Sequence, residues 1–334
     1  MKGILHAICD AIRTHRSFQI VGHVRPDADC IGSTLALYYI LRQLGKHADV
    51  CIPGPILEHY FFTPGIQVIR PLPDPMFEPD VTIYLDCSSL DRSVRGFVPK
   101  GLLINIDHHH TNERFGKINY VDPGACAAGE QVFHIAQQLG ARFTPEIGNN
   151  LYLAILGDTG GFRFSNTNTT TFQIAAELSM NGADPSWVAR EYFSNRSYET
   201  IQLSSEVLLN VHFEFEGKLV WGEITQEMYM RFGGEKNEPE SLVGDMRRIK
   251  GVEVSILIHE LTEGGLRAGF RSKESIDVSE IATALGGGGH PNASGCFCPG
   301  DYTTMKENLL KVTRQHLSTC FQMTPLPPDI KVKI

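Results

Sequence analysis

The chain has 334 residues, about twice the ~150 expected of one domain, which favours two domains. With 42% apolar residues, 20% charged residues, and 32 Gly and 18 Pro dispersed along the chain, it is neither collagen, coiled coil nor wholesale disorder. A net charge of −8 without any block of Lys or Arg argues against long nucleic acids, which are held by many phosphate contacts. A short anionic ligand held by a few local charges or metal ions remains open. Eight cysteines at irregular spacing, with no Cys-x-x-Cys pair, read as reduced thiols. The apolar runs TLALYYIL (34–41) and LYLAIL (151–156) are far shorter than the ~20 residues of a membrane span, and Asp10, Arg13 and Arg16 interrupt the N-terminus. The expectation is a cytoplasmic protein without a membrane partner.

In chain order, QIVGH (19–23) reads as a strand. The segment after it carries Ile31, Leu35, Tyr38 and Leu41 at helical spacing, with Gly45 where a helix would end. ADVCI (48–52), VTIYLD (81–86) and LLINID (102–107) read as further buried strands, two of them ending in Asp, and helices are expected near 129–139 and 145–156. This alternation predicts an α/β first domain with a parallel sheet, whose ligands gather at the carboxyl ends of the strands. The run ADPSWVAREYFSNRSYET loses strand periodicity and reads as a helical connection. Beyond it, 213–225, 251–261 and 265–272 read as strands, with turns at Glu216-Gly217 and Gly264-Gly265. The expected division is 1–190 for the first domain, 191–204 for a linker helix, 205–325 for a smaller α+β domain and 326–334 for a surface tail.

Four sets of polar residues fall at these strand and helix ends. GHVRPDADCIGS (22–33) carries His23, Asp27 and Asp29, donors that suit a divalent ion, although the same residues read equally as a solvated loop with Asp29 capping the next helix. Asp86 closes VTIYLD, where a cap or turn role is the alternative and Cys87 reads as a small buried hydrophobe. NIDHHHTN (105–112) follows an apolar strand; successive histidines point in different directions, so one can ligate while its neighbour faces a reacting group. Asp158 ends an apolar helical stretch that Gly160-Gly161 breaks. In the second half, Arg271-Ser272 precedes GGGGH (286–290), whose side-chain-free backbone can approach an anion, with Arg271 and His290 as further donors. A plain flexible turn is the alternative there, and Cys296 and Cys298 alternate toward a core.

Taken together, the series His23-x-x-x-Asp27-x-Asp29, Asp86, Asp107-His108-His109 and Asp158 resembles the DHH family of phosphoesterases. The resemblance implies a Rossmann-like catalytic domain followed by a DHH-associated substrate-binding domain. It further implies two divalent ions, typically manganese, with magnesium or another divalent ion as substitutes. His23, Asp27 and Asp86 would hold one ion, and Asp29, Asp86, His108 and Asp158 the other, with Asp86 as the bridge. A hydroxide shared by the ions would attack phosphorus in line. His109 would be the acid or substrate-polarising group, and Asp107 would orient the histidines. His110 departs from the family pattern, where proline is common, and receives no role. Arg271, Ser272, Gly287, Gly288, Gly289 and His290 would bind a neighbouring phosphate across a cleft between the domains, and Arg25, Asn112 and Arg163 lie near enough to the motifs to help. Within the family, the compact plan and the GGGGH loop look most like the branch acting on short oligoribonucleotides and on nucleotide bisphosphates such as 3′-phosphoadenosine 5′-phosphate. A cyclic-dinucleotide or linear-dinucleotide phosphodiesterase is the alternative, a catalytically silent nucleotide-binding protein a more distant one, and a homodimer is compatible with either.

Overall fold

The computed structural model describes residues 2–71, 77–93, 96–234, 239, 242–273 and 276–322, so the expected tail at 326–334 lies outside the described residues. The chain divides into two compact units, Met1–Arg196 and Ser197–Ile334.

The first unit opens with α1 (Lys2–Thr14) and continues with β1 (Ser17–Val21), α2 (Ala28–Gln43), β2 (His47–Cys51), β3 (Ile69–Arg70), β4 (Val81–Leu85), β5 (Leu102–Asp107) and β6 (Ile118–Val121). Four helices follow: α3 (Ala128–Leu139), α4 (Pro145–Asp158), α5 (Thr169–Met180) and α6 (Pro185–Ser194). The strands form one wholly parallel sheet in the order β3-β2-β1-β4-β5-β6. The chain steps outward in one direction from β1 to β3, then returns to the other side of β1 with β4. The topological switch point therefore lies between β1 and β4, the place where open α/β sheets leave a crevice for ligands.

Local sequence accounts for these elements. Strand β4, VTIYL, is buried at every position, as expected of a central parallel strand covered on both faces. Helix α4 starts on the Thr144 cap with Pro145 in its first turn, and α5 on an Asn168–Thr171 capping box. On one sheet face Phe18, Ile20, Val50, Ile83, Ile104 and Ile106 pack with the helices in the main core. The opposite face is smaller: Val21, Cys51, Tyr84 and Cys87 pack with Leu90, Phe97, Leu103 and Phe115.

The second unit contains α7 (Tyr198–Leu209), β7 (His212–Glu214), β8 (Leu219–Ile224), α8 (Gln226–Arg231), α9 (Leu242–Arg247), β9 (Val254–Glu260), β10 (Leu266–Ser272), α10 (Val278–Ala284), β11 (Gly288–His290), β12 (Ala293–Cys298) and α11 (Tyr302–Gln322). Its sheet runs β11-β12-β10-β9-β8-β7 and is mixed, with β8 and β9 parallel and the other pairs antiparallel. One continuous linker helix over 191–204 is not formed. Helix α6 ends at Ser194, and the Ser197 hydroxyl accepts the Thr200 N–H at 3.1 Å, starting α7 as a separate helix. Cys9, Cys30, Cys51, Cys87, Cys126, Cys296 and Cys298 are buried thiols, and no described helix is long and apolar enough to cross a membrane.

Candidate metal centre at the switch point

The loop after β1 carries His23 and Asp27, and the turn after β4 carries Asp86, so the two strands flanking the switch point deliver side chains to one spot. His23 Nε2 lies 3.1 Å from Asp86 Oδ2 and 3.9 Å from Asp27 Oδ1. Helix α2 is capped by Asp27, whose Oδ1 accepts the Asp29 and Cys30 N–H groups, so the cap is Asp27 rather than Asp29. Asp29 stands one residue inside the helix and is buried. Its Oδ2 accepts the Ala128 N–H at 2.6 Å and its Oδ1 the Gly129 N–H at 2.9 Å, the first two residues of α3. Since Ala127 offers no side-chain cap, Asp29 caps α3 from another helix, and Glu130 completes the start by accepting the Cys126 N–H.

Asp86 leaves β4 with a left-handed backbone, φ 56°. That conformation is uncommon outside Gly and is tolerated best by Asn and Asp. Its Oδ1 is buried and accepts no hydrogen bond among the described residues, with His108 Nε2 and His109 Nδ1 each 3.5 Å away. His108 Nε2 also faces Asp29 Oδ2 at 3.6 Å and Asp158 Oδ2 at 3.4 Å, the latter carboxylate supplied by the last residue of α4. His109 turns the other way: its Nδ1 is 2.7 Å from Asp107 Oδ1. The adjacent histidines thus share Asp86 but differ in their other partners, Asp29 and Asp158 for His108 and Asp107 for His109, with ring planes 67° apart. His110 is exposed.

This donor set fits divalent ions. His23 Nδ1 is 2.8 Å from the Val24 carbonyl and His108 Nδ1 is 3.3 Å from the Ala125 carbonyl. Each Nδ1–H is therefore committed to a backbone oxygen, leaving each Nε2 lone pair aimed at carboxylates, the orientation of a metal-bound imidazole. His23, Asp27 and Asp86 bring three ligand atoms within 4.8 Å of one another, as do Asp29, His108 and Asp158, and also Asp86, Asp107 and His109. The charges carry the same message. Burial pushes Asp29 well above the usual carboxylate range, and the neighbouring Asp86 adds to it. Burial likewise raises Asp158 to about 6, against the pull of His108. Burial opposes charge on the His108 ring, yet Asp158, Asp86 and Asp29 outweigh it and hold the ring well above its ordinary value. Burial also acts on Asp86, but His108 and His23 hold it well below. Buried carboxylates this crowded call for added positive charge, and cations of the carboxylate- and imidazole-binding class supply it.

The remaining predicted residues divide. Asp107 is fully buried, and its Oδ2 accepts from Asn112 Nδ2 at 2.5 Å. Asn112 is enclosed in that network and Arg163 donates to the Gly160 carbonyl, whereas Arg25 is exposed, with φ 54°. In the second unit Arg271 sits on β10 between Ser255 and Ala293 of its neighbouring strands. The Ser272 hydroxyl is buried and donates to the Ile276 carbonyl at 2.6 Å, so it ties its own loop instead of facing an anion. The glycine run is not a free anion loop either: Gly288–His290 is an edge strand, with Gly289 opposite Ser294 and His290 opposite Ala293. A Cβ on Gly287 would stand 2.7 Å from Cys296 Cα. Gly289 has φ +139° and would put a Cβ 2.6 Å from the Ala293 carbonyl oxygen. Gly288 alone in this strand faces open space. Asn105 escaped sequence reasoning; a polar residue inside the buried strand LLINID is itself a signal, since a buried amide must find partners.

The N-terminal domain model of the DHH family matches residues 17–155, and the DHHA1 domain model matches residues 224–319. The bifunctional oligoribonuclease and PAP phosphatase NrnA of Thermus thermophilus is 34% identical over 309 residues, covering 90% of both chains. The protein of the same name from Bacillus subtilis is 28% identical, covering 86% of this chain and 90% of its own length. Among solved structures, an exopolyphosphatase-related protein from Bacteroides fragilis superposes with a TM-score of 0.85 at 27% identity over 96% of each chain.

Proposed function

The chain belongs to the DHH family, and on that basis we propose that it is a divalent-metal-dependent phosphoesterase. Its substrates would be short oligoribonucleotides, cleaved to mononucleotides, and 3′-phosphoadenosine 5′-phosphate, freed of its 3′-phosphate. The observation that carries the reading is Asp86, a buried carboxylate at the switch point with one oxygen toward His23 and the other toward His108 and His109. In this account His23, Asp27 and Asp86 would hold one ion, and Asp29, Asp86, His108 and Asp158 would hold a second. When bound, such ions acidify water and neutralise charge on phosphoryl oxygens.

The protein's own side chains supply the rest. Asp107 accepts the Nδ1–H of His109, fixing the ring so that Nε2 can hold a proton for the leaving oxygen. In the second unit, Arg271 on β10 and His290 with the backbone at Gly288 form the anion-holding part of the reading, and Gly287 and Gly289 allow the hairpin that carries Gly288 and His290. Manganese is the favoured ion, since carboxylate and imidazole donors together suit it, and the buried thiols accord with a cytoplasmic setting.

The test is a side-by-side turnover assay in manganese, magnesium or chelator. Substrates are a dinucleotide, a pentanucleotide, 3′-phosphoadenosine 5′-phosphate, cyclic di-AMP and pyrophosphate. Metal-dependent turnover led by the linear oligonucleotides or the bisphosphate supports the reading. Preference for cyclic di-AMP or pyrophosphate overturns the substrate assignment, and no turnover of any of them overturns the enzyme.

A further inference from the structure

Two of the strand-end loops that build the centre are joined by a pair of asparagines. Asn105, fully buried within β5, donates from Nδ2 to the Cys87 carbonyl at 3.0 Å. Asn112, past the histidines, shares its two Nδ2 hydrogens among Asp107 Oδ2 at 2.5 Å, Asn105 Oδ1 at 2.8 Å and the same Cys87 carbonyl at 3.1 Å. Its own Oδ1 accepts the Arg114 N–H at 2.6 Å. The Cys87 carbonyl closes the residue directly after Asp86, which stands in the left-handed region. The amide that orients Asp107 therefore also pins the residue following the strained aspartate.

We propose that Asn112, backed by Asn105, is a positioning residue that sets two catalytic elements at once: the direction of His109, through Asp107, and the placement of Asp86, through the Cys87 carbonyl. A carboxylate with two acceptor oxygens can rotate about χ2 unless both are engaged. With Oδ1 on His109 and Oδ2 on Asn112, Asp107 has one orientation, and His109 is held with hydrogen on Nδ1. Without the Asn112 amide, the Asp107 carboxylate and the Asn105 carbonyl oxygen each lose a buried donor. The catalytic half of this inference rests on the phosphoesterase reading; the orientation of His109 does not.

The experiment compares Asn112→Ala with Asn119→Ala. Asn119, on β6 beside Asn105 of β5, bonds Gly116 twice and makes no side-chain hydrogen bond to Asn105, Asp107 or Asn112 among the described residues, so its loss disturbs the neighbouring loop while leaving the hydrogen bonds of the asparagine pair in place. Nitrogen-15 imidazole spectra of the metal-free protein should show His109 as a single Nδ1–H tautomer in the parent and in Asn119→Ala, and as a mixture in Asn112→Ala. In turnover, Asn112→Ala should lower kcat by about 10- to 100-fold with KM within about threefold, the scale seen when a partner behind an active-site ligand is removed. Asn119→Ala should stay within about threefold in both. An unchanged His109 signature in Asn112→Ala overturns the proposal even if no substrate turns over, and equal losses in the two variants reduce Asn112 to a loop-stabilising residue.

Discussion

Asp29 is placed to do two things that pull stability in opposite directions, and removing it separates them. As a metal ligand in a chelated protein it is a liability, since burial and the nearby Asp86 make its charge costly. As the cap of α3 it satisfies two buried backbone N–H groups, those of Ala128 and Gly129. Leaving a buried donor unsatisfied costs about 1–3 kcal/mol, so Asp29→Ala should destabilise the metal-free protein by about 2–4 kcal/mol, after allowance for the relieved repulsion. Asp158 offers the contrast: its carboxylate faces His108 and accepts no backbone N–H among the described residues. Asp158→Ala should therefore leave the metal-free protein as stable as the parent or more so. The assay is urea unfolding in chelator and again with excess manganese. The parent should gain about 2.7 kcal/mol for each site occupied at a hundredfold excess over its Kd, and both variants should gain much less. If Asp29→Ala unfolds at the parent's urea concentration in chelator, the capping role is wrong. If it is destabilised yet retains the full gain from manganese, the ligand role is wrong.

The same crowding makes stability depend on pH. Because the folded Asp158 carboxyl titrates at about 6 against an ordinary 3.8, the folded state binds the extra proton between those values, and stability falls as pH rises through them. The chelated protein should thus have a higher urea midpoint at pH 5 than at pH 7, and Asp158→Asn should flatten that difference. A Cβ at Gly157 would collide with that of Ala28, between Asp27 and Asp29. Gly157→Ala should accordingly destabilise by about 1–3 kcal/mol and depress turnover, both measurable on one preparation. In the second unit Gly289→Ala should break the β11–β12 hairpin, visible as lost amide protection there. Gly288→Ala should fold normally, since its Cβ would meet open space, and on the proposed anion-binding reading should raise KM; an unchanged KM would remove Gly288 from that reading.

The strands of the first unit were readable because central parallel strands are short apolar runs, and their terminal aspartates mark the sheet edge where ligands collect. The segments passed over lack that pattern. Strand β3 has two residues, β6 is largely half-buried, and α11 carries the polar sequence TTMKEN near its start. The candidate ligands were legible as residues, but not in all their duties. That Asp29 caps a helix 99 residues away depends on how α2 meets α3, which no local pattern encodes. The glycine run was legible as backbone without side chains, while its cause was not: Gly287 and Gly289 are required by the close approach of β12 in the hairpin, which depends on the register of the pairing rather than on composition. Ser272 was misplaced for a related reason, since its alternation along β10 turns it into the core.

The most direct test of the central claim is a count of tightly bound manganese per chain in the purified protein after removal of free metal, for the parent and for Asp86→Asn. Two ions in the parent and at most one in the variant, with turnover lost alongside, is the predicted result. Phosphoester turnover that persists in chelator, or two ions retained in Asp86→Asn, would contradict a centre built around that carboxylate.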